Sequence, residues 1–215
     1  MLIRKKCIRN NKQYFNEVAS QWDKMRKSFF SESLREKAFA VAGVQPCKLA
    51  ADIGAGSGFI TEGLIHKGLK VIAVDQSEAM LAEVRKKFAS IAEVDYRLGE
   101  AERLPISDEN VDFVFANMYL HHVELPTEAI KEMVRILKPG GKLIISDLDE
   151  HTFEFLKYEH HDRWMGFNRE EIMRWFAAAC LKNVAVDNVG ENCCAQSSCR
   201  DEYARISIFV ASGVK

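Results

Sequence analysis

Glycines at 54, 56 and 58 follow a short apolar segment, Lys48 to Ile53, and open a helical pattern that runs to about Lys67. Glycine at those positions lets the backbone turn tightly and approach a ligand closely, with the amides of a helix N-terminus facing it. The loop, with Ala55 inside it, therefore suits a nucleotide-type cofactor. A dinucleotide fingerprint would place glycine at 59, where this chain has Phe59, and that spacing counts against an NAD-dependent dehydrogenase. Asp75 ends the next apolar run, Lys70 to Asp75, where a carboxylate can accept hydrogen bonds from both hydroxyls of a ribose. Capping of the following helix is the plainer role, but Ser77 is better placed for it.

Two further groups stand out. His121 and His122 follow the strand-like run Val111 to Ala116, where one of them can face a substrate as base or orienter, and both can equally settle a strand-to-helix turn. Cys193, Cys194 and Cys199 put three thiols within seven residues, a pattern able to bind a soft metal or metalloid or to present a reactive thiolate. The spacing is not that of the usual zinc pairs. A set drawn from Cys193 or Cys194 with Cys199 and Cys180 is an alternative. Cys7, Cys47 and Cys180 lie far apart, so reduced thiols are expected.

The elements that must position these residues follow from periodicity. Tyr14 to Val44 carries apolar residues at helical spacing and is expected to form two helices. After the glycine loop come the strand Lys70–Asp75, a helix through Phe88, a strand near Val94–Leu98, the strand at 111–116, and a helix over 127–137. A Pro139-Gly140-Gly141 turn and a strand over 142–146 complete the series. This alternation predicts an α/β, Rossmann-like doubly wound sheet, mostly parallel, with helices on both faces. Asn168 to Glu171 reads as a capping box opening a helix through Cys180. The segments Val184–Val189 and Ala204–Val210 would add an antiparallel C-terminal edge, with a polar loop, Glu191 to Asp201, between them. A single domain over 1–215 is expected, with 1–46 a helical cap, 47–148 a cofactor-binding core and 149–215 the substrate side.

The segment Ala50-Ala51-Asp52-Ile53-Gly54-Ala55-Gly56-Ser57-Gly58 resembles motif I of the class I S-adenosylmethionine-dependent methyltransferases, in particular the branch of ubiquinone and menaquinone biosynthesis methyltransferases. Gly99 to Pro105, Asn117 to His122 and Leu137 to Gly141 resemble that family's later motifs in the right order, and the likeness spans about Tyr14 to Leu148. The resemblance implies S-adenosyl-L-methionine as cofactor. Its methionine end would lie on the glycine loop and its ribose on Asp75, beside Gln76 and Met80. Glu100 and Ala101 would meet the adenine edge, although Glu100 stands where the family more often has Asp. Asn117 and Met118 would flank the sulfonium. Asp52 would balance the ammonium or orient the turn. Tyr14 and Trp22 resemble aromatic positions of an N-terminal helix that covers the cofactor. Trp164 and Phe167 are expected to form a lid over the acceptor, or else to be packing residues.

The expected activity is methyl transfer to a small-molecule acceptor: a quinone-like ring, a heteroatom in a metabolite, or a thiol. Three alternatives stay open: a metalloid methyltransferase using the C-terminal cysteines, a non-catalytic cofactor-binding regulator, and, most weakly, the dehydrogenase. Lys+Arg number 30 against 31 Asp+Glu, for a formal net charge of -1, so nucleic acid is not an expected partner. No apolar run approaches the roughly 20 residues of a membrane span. Met1 to Tyr14 is basic without the apolar stretch of a secretory signal, and a cytoplasmic protein is expected.

Overall fold

The computed structural model describes residues 11–91 and 93–215; the basic start and Cys7 lie outside the described residues. Its helices are α1 (Asn11–Val18), α2 (Trp22–Phe29), α3 (Glu32–Ala42), α4 (Phe59–His66), α5 (Glu78–Lys87), α6 (Pro126–Ile136), α7 (Phe155–Glu159) and α8 (Arg169–Ala178). Its strands are β1 (Leu49–Ile53), β2 (Lys70–Asp75), β3 (Val94–Leu98), β4 (Val111–Asn117), β5 (Leu137–Leu148), β6 (Lys182–Gln196) and β7 (Tyr203–Val214).

The strands form one sheet in the order β3-β2-β1-β4-β5-β7-β6. β1, β2, β3, β4 and β5 run parallel, and β7 lies antiparallel between β5 and β6. The strand alternation sorts the core into two faces. Ala51, Ile53, Ile72, Val74, Val114, Leu143 and Ile145 pack with Ile130 and Met133 of α6 and with Ile172 and Phe176 of α8. Ala50, Val71, Phe113, Phe115 and Ile144 pack with Leu34 and Phe39 of α3 and with Phe59 and Leu64 of α4. Burial on both faces explains why the central strands read as continuous apolar runs. β1 is bonded to β2 on one side and to β4 on the other, so the strand order reverses there and a crevice opens at the carboxyl ends.

Several expectations need correction. The N-terminal segment forms three helices, because a 3-10 turn at Ala19–Gln21 and extended backbone at Phe30 break the periodicity. The supposed polar loop over 191–201 is strand through Gln196. β6 is the sheet's outermost strand and leaves many positions exposed, so it carries polar residues that blur the apolar alternation. A bulge between Asn188 and Asn192, with Gly190 at φ 88, also interrupts it. β5 absorbs the Pro139-Gly140-Gly141 segment, and α7 carries no signal clear enough to have been anticipated. Among the described residues no helix is long and apolar enough to cross a membrane.

Candidate functional site

The crevice at the β1/β4 reversal is a cleft of about 600 Å³. Gly54, Ala55 and Gly56 floor it, beside Asp52, Asp75, Gln76, Met80, Asn117 and Met118. Each glycine is there for a reason. Gly54 has φ +71, and a Cβ on it would stand 2.2 Å from the ring of Tyr119. Gly56, at φ +53, has the Trp22 indole nitrogen 3.2 Å from where its Cβ would be. Gly58 does not line the cleft; it turns the chain into α4 at φ +86, where a Cβ would collide with Phe88.

Two buried carboxylates brace this loop. Gly58 is the N-cap of α4 and has no side chain to cap it, so Asp52 reaches across from β1 and accepts from the Thr61 amide at 3.0 Å and the Thr61 hydroxyl at 2.7 Å. Burial pushes the Asp52 carboxyl up to about 7 against those two bonds. Asp75 accepts from the amides of Gly56 at 2.9 Å and Ser77 at 2.8 Å. Burial lifts it to about 6. Ser77 caps α5 by accepting from Met80, as its position in the sequence suggests.

The helices α1 and α2 close the cleft from above. Asp23 bonds the Ser57 hydroxyl, Ser77 donates to Asn16 at 2.6 Å, and the Asn11 amide group donates to the His122 carbonyl at 2.9 Å. Phe15, Trp22, Arg26 and Phe30 face inward. Arg26 is buried, its guanidinium lies 4.0 Å over the Phe59 ring, and its Nε has no hydrogen-bond partner. Nothing in the sequence singled out this cation.

A second cavity of about 480 Å³ adjoins the first and shares Trp22, Phe30, Met118 and His122 with it. Its apolar wall includes Phe29, Leu148 and Leu156, and its polar end holds Tyr14, His121, His160, Asp162 and Cys193. His121 Nδ1 lies 2.6 Å from Asp147, a fully buried carboxylate at the end of β5. Burial disfavours the charged ring, but Asp147 and Asp162 outweigh it and raise His121 to about 9. His122 is held well below its usual value by burial and by the charge on His121. Burial and nearby acids push the Tyr14 hydroxyl and the Cys193 thiol each up to about 12. Met118, at φ 50, is forced into the left-handed region at the junction of the two cavities, a conformation that costs on the order of 1–3 kcal/mol and tends to be retained at functional sites.

The other expected residues fall elsewhere. Glu100 lines a separate, open recess with Gln76 and Tyr119. Ala101 is buried in the core, and its amide bonds the Tyr119 hydroxyl. Trp164 and Phe167 line neither of these two cavities. Phe167 is core, packed on Trp175, and Trp164 is partly exposed with its indole donating to the Val123 carbonyl at 2.8 Å. The segment nonetheless borders the second cavity, since the amides of Arg163 and Trp164 both bond the His121 carbonyl, but the chain directs Asp162 inward instead. Successive residues of a strand face opposite sides, so Cys193 lines the cavity while Cys194 does not, and Cys199 lies exposed beyond the strand end. Among the described residues these thiols do not converge at metal-ligand distance.

Residues 51–145 match the methyltransferase domain family. Those residues form a methyltransferase domain. The chain is 33% identical over 159 residues to the biotin biosynthesis bifunctional protein BioHC of Cellvibrio japonicus, covering 72% of this chain and 30% of that one. It is 32% identical over 142 residues to the demethylmenaquinone methyltransferase of Renibacterium salmoninarum, covering 65% of this chain and 59% of that one. The methyltransferase domain thus spans less than two thirds of the length of either relative. Its fold superposes with a TM-score of 0.77 on phosphoethanolamine N-methyltransferase 2 of Haemonchus contortus, at 17% identity, over 96% of this chain and 58% of that one.

Proposed function

We propose that the protein transfers the methyl group of S-adenosylmethionine to a small-molecule acceptor. The observation that carries this reading is the junction: the cofactor cleft and the second cavity share Trp22, Phe30, Met118 and His122, so a donor in one and an acceptor in the other would meet at that wall. The cleft fits the donor's charges. Arg26, buried with an orphaned Nε, can hold its carboxylate, Asp52 can balance its ammonium, and Asp75 can accept from its ribose hydroxyls. When bound, the sulfonium supplies an activated methyl group, and transfer breaks one S–C bond as the acceptor's new bond forms.

The protein's part is alignment and exclusion of water. Trp22 and Phe30 cover the junction, and Met118 sets the floor. His121, held by Asp147, can orient an acceptor, and His122 stands beside both cavities. We assign residues 1–46 to the cap, 47–148 to the cofactor and 149–215 to the acceptor side, which supplies Asp162 and Cys193. Free thiols at Cys47, Cys180, Cys193, Cys194 and Cys199 suit a cytoplasmic location. Calorimetric titration with S-adenosylmethionine, followed by an acceptor screen read by release of S-adenosylhomocysteine, tests the proposal. Binding with no turnover on hydroxyl, amine, thiol and quinol acceptors would favour a regulatory protein, and absence of binding would sink both.

A further inference from the structure

We propose that His121 Nε2, His122 Nδ1 and Asp162 Oδ1 form a site for one divalent transition-metal ion at the polar end of the acceptor cavity. All three residues are buried, and one ligand atom from each lies within 4.8 Å of the others. Asp162 Oδ1 stands 3.8 Å from His121 Nε2 and 3.9 Å from His122 Nδ1. Ligands about 2.1 Å from a tetrahedral ion are roughly 3.4 Å apart, so each Asp162 contact needs to shorten by about half an ångström, and the two histidine nitrogens, within 4.8 Å of each other, close in on the ion by rotation of their rings.

Three features around the cluster favour a cation. The Nδ1 of His121 is engaged by Asp147 at 2.6 Å, which turns Nε2 toward Asp162. A carboxylate behind a histidine in this way is the usual outer support of a metal ligand. His122 Nδ1 has a contact of 3.4 Å to the His161 carbonyl, at the long limit of hydrogen bonding and readily given up. Asp162 is delivered inward by His161, whose φ of 62 places a side-chain-bearing residue in the left-handed region. Among the described residues, the ion pairs of Asp147 and Asp162 come from histidines alone, with no lysine or arginine to neutralise the two buried carboxylates.

Two imidazoles and one carboxylate suit zinc, iron, cobalt or nickel, and three protein ligands leave a coordination position open toward the cavity. The site's role rests on the methyltransferase reading above. A hydroxyl or thiol acceptor binds the ion through oxygen or sulfur and releases its proton to solvent. The resulting anion attacks the methyl carbon as the S–C bond of the sulfonium breaks, leaving a neutral thioether and a methylated acceptor.

The test uses full-length protein stripped with chelator and dialysed against cobalt(II), with metal content read by mass spectrometry and coordination by the visible absorption bands of cobalt. One equivalent per chain is expected. Asp162→Asn and His121→Gln should each weaken binding at least tenfold, and Asp147→Asn by about 10- to 100-fold, whereas Cys194→Ser should bind as wild type. Circular dichroism melts and S-adenosylmethionine titrations establish that each variant is folded. Wild-type protein that retains no cobalt, or folded Asp162→Asn that binds it as tightly as wild type, overturns the site. Tight S-adenosylmethionine binding and methyl transfer by the stripped, cobalt-free protein would leave the methyltransferase reading standing while refuting the metal's part in the reaction.

Discussion

Replacing Gly54 with alanine should destabilise the protein in two separable ways. The new Cβ would lie 2.2, 2.3 and 2.8 Å from three ring atoms of Tyr119, and it would sit on backbone at φ +71. The left-handed conformation costs a non-glycine residue about 1–2 kcal/mol, and overpacking adds about 1–3 kcal/mol. A loss of about 2–5 kcal/mol is expected. For a chain of this size that is a fall in Tm of roughly 4–20 °C. The two parts separate in a double-mutant cycle. Tyr119→Ala alone costs about 3–5 kcal/mol through the cavity it leaves, but in that background Gly54→Ala meets no ring and should cost only the backbone part. The coupling between the two sites should therefore be about 1–3 kcal/mol in the stabilising direction. Urea unfolding of the four proteins at one pH supplies the values. Additive losses, with the alanine costing as much without the ring as with it, would refute the claim that Tyr119 is what reserves position 54 for glycine.

Other outcomes follow from the site. Arg26→Gln should raise the Kd for S-adenosylmethionine about tenfold or more, since a charge-assisted bond is worth about 1.5–3 kcal/mol; titration calorimetry decides, and unchanged affinity would move the carboxylate elsewhere. Asp75→Asn should weaken the same binding by more than 1 kcal/mol through loss of charge at the ribose, read in the same assay. In chelator-stripped protein, His121 has a folded pKa of about 9, above its unfolded value, so its ion pair with Asp147 stabilises fully below about pH 6.5 and is lost as pH rises through about 9. Melting temperature should accordingly fall across that window, and the fall should be shallower in His121→Gln. NADH should bind more weakly than S-adenosylmethionine in a fluorescence titration, because Phe59 occupies the position that dinucleotide folds reserve for glycine.

The residues that line the first cleft were legible where their signals are local, as at the glycine loop and Asp75; Asp52, Asn117 and Met118 came with the family resemblance, and Glu100 and Ala101, which came the same way, line a different recess and the core. The glycine loop, Asp52, Asp75, Ser77 and the Asn117-Met118 pair each sit at a strand end or helix start that periodicity locates, and all but Ser77 and Gly58 line the cleft. The acceptor half was not. Asp162 and Asp147 meet His121 across sequence gaps that carry no pattern, and Asp162 is separated from Trp164 by one residue yet faces the cavity that Trp164 does not. Arg26 reads as one more charge on an amphipathic helix; its burial comes from Phe30 and Phe59 closing around it. The C-terminal cysteines misled for a plainer reason. A polar outer strand looks like a loop, and only strand geometry shows that adjacent thiols at 193 and 194 face opposite ways.

The way α1 and α2 cover the site ties its two cavities together. These helices have eight residues each, too short to hold their shape alone, and they are fastened by side-chain bonds at Ser57, Ser77 and the His122 carbonyl rather than by the sheet's ladder. Elements fastened in this way belong to the part of a fold that opens at a lower free energy than global unfolding. Because Trp22 walls both cavities, a change in the position of α2 alters both at once. On the proposed function, donor and acceptor would therefore lie beneath the same cover.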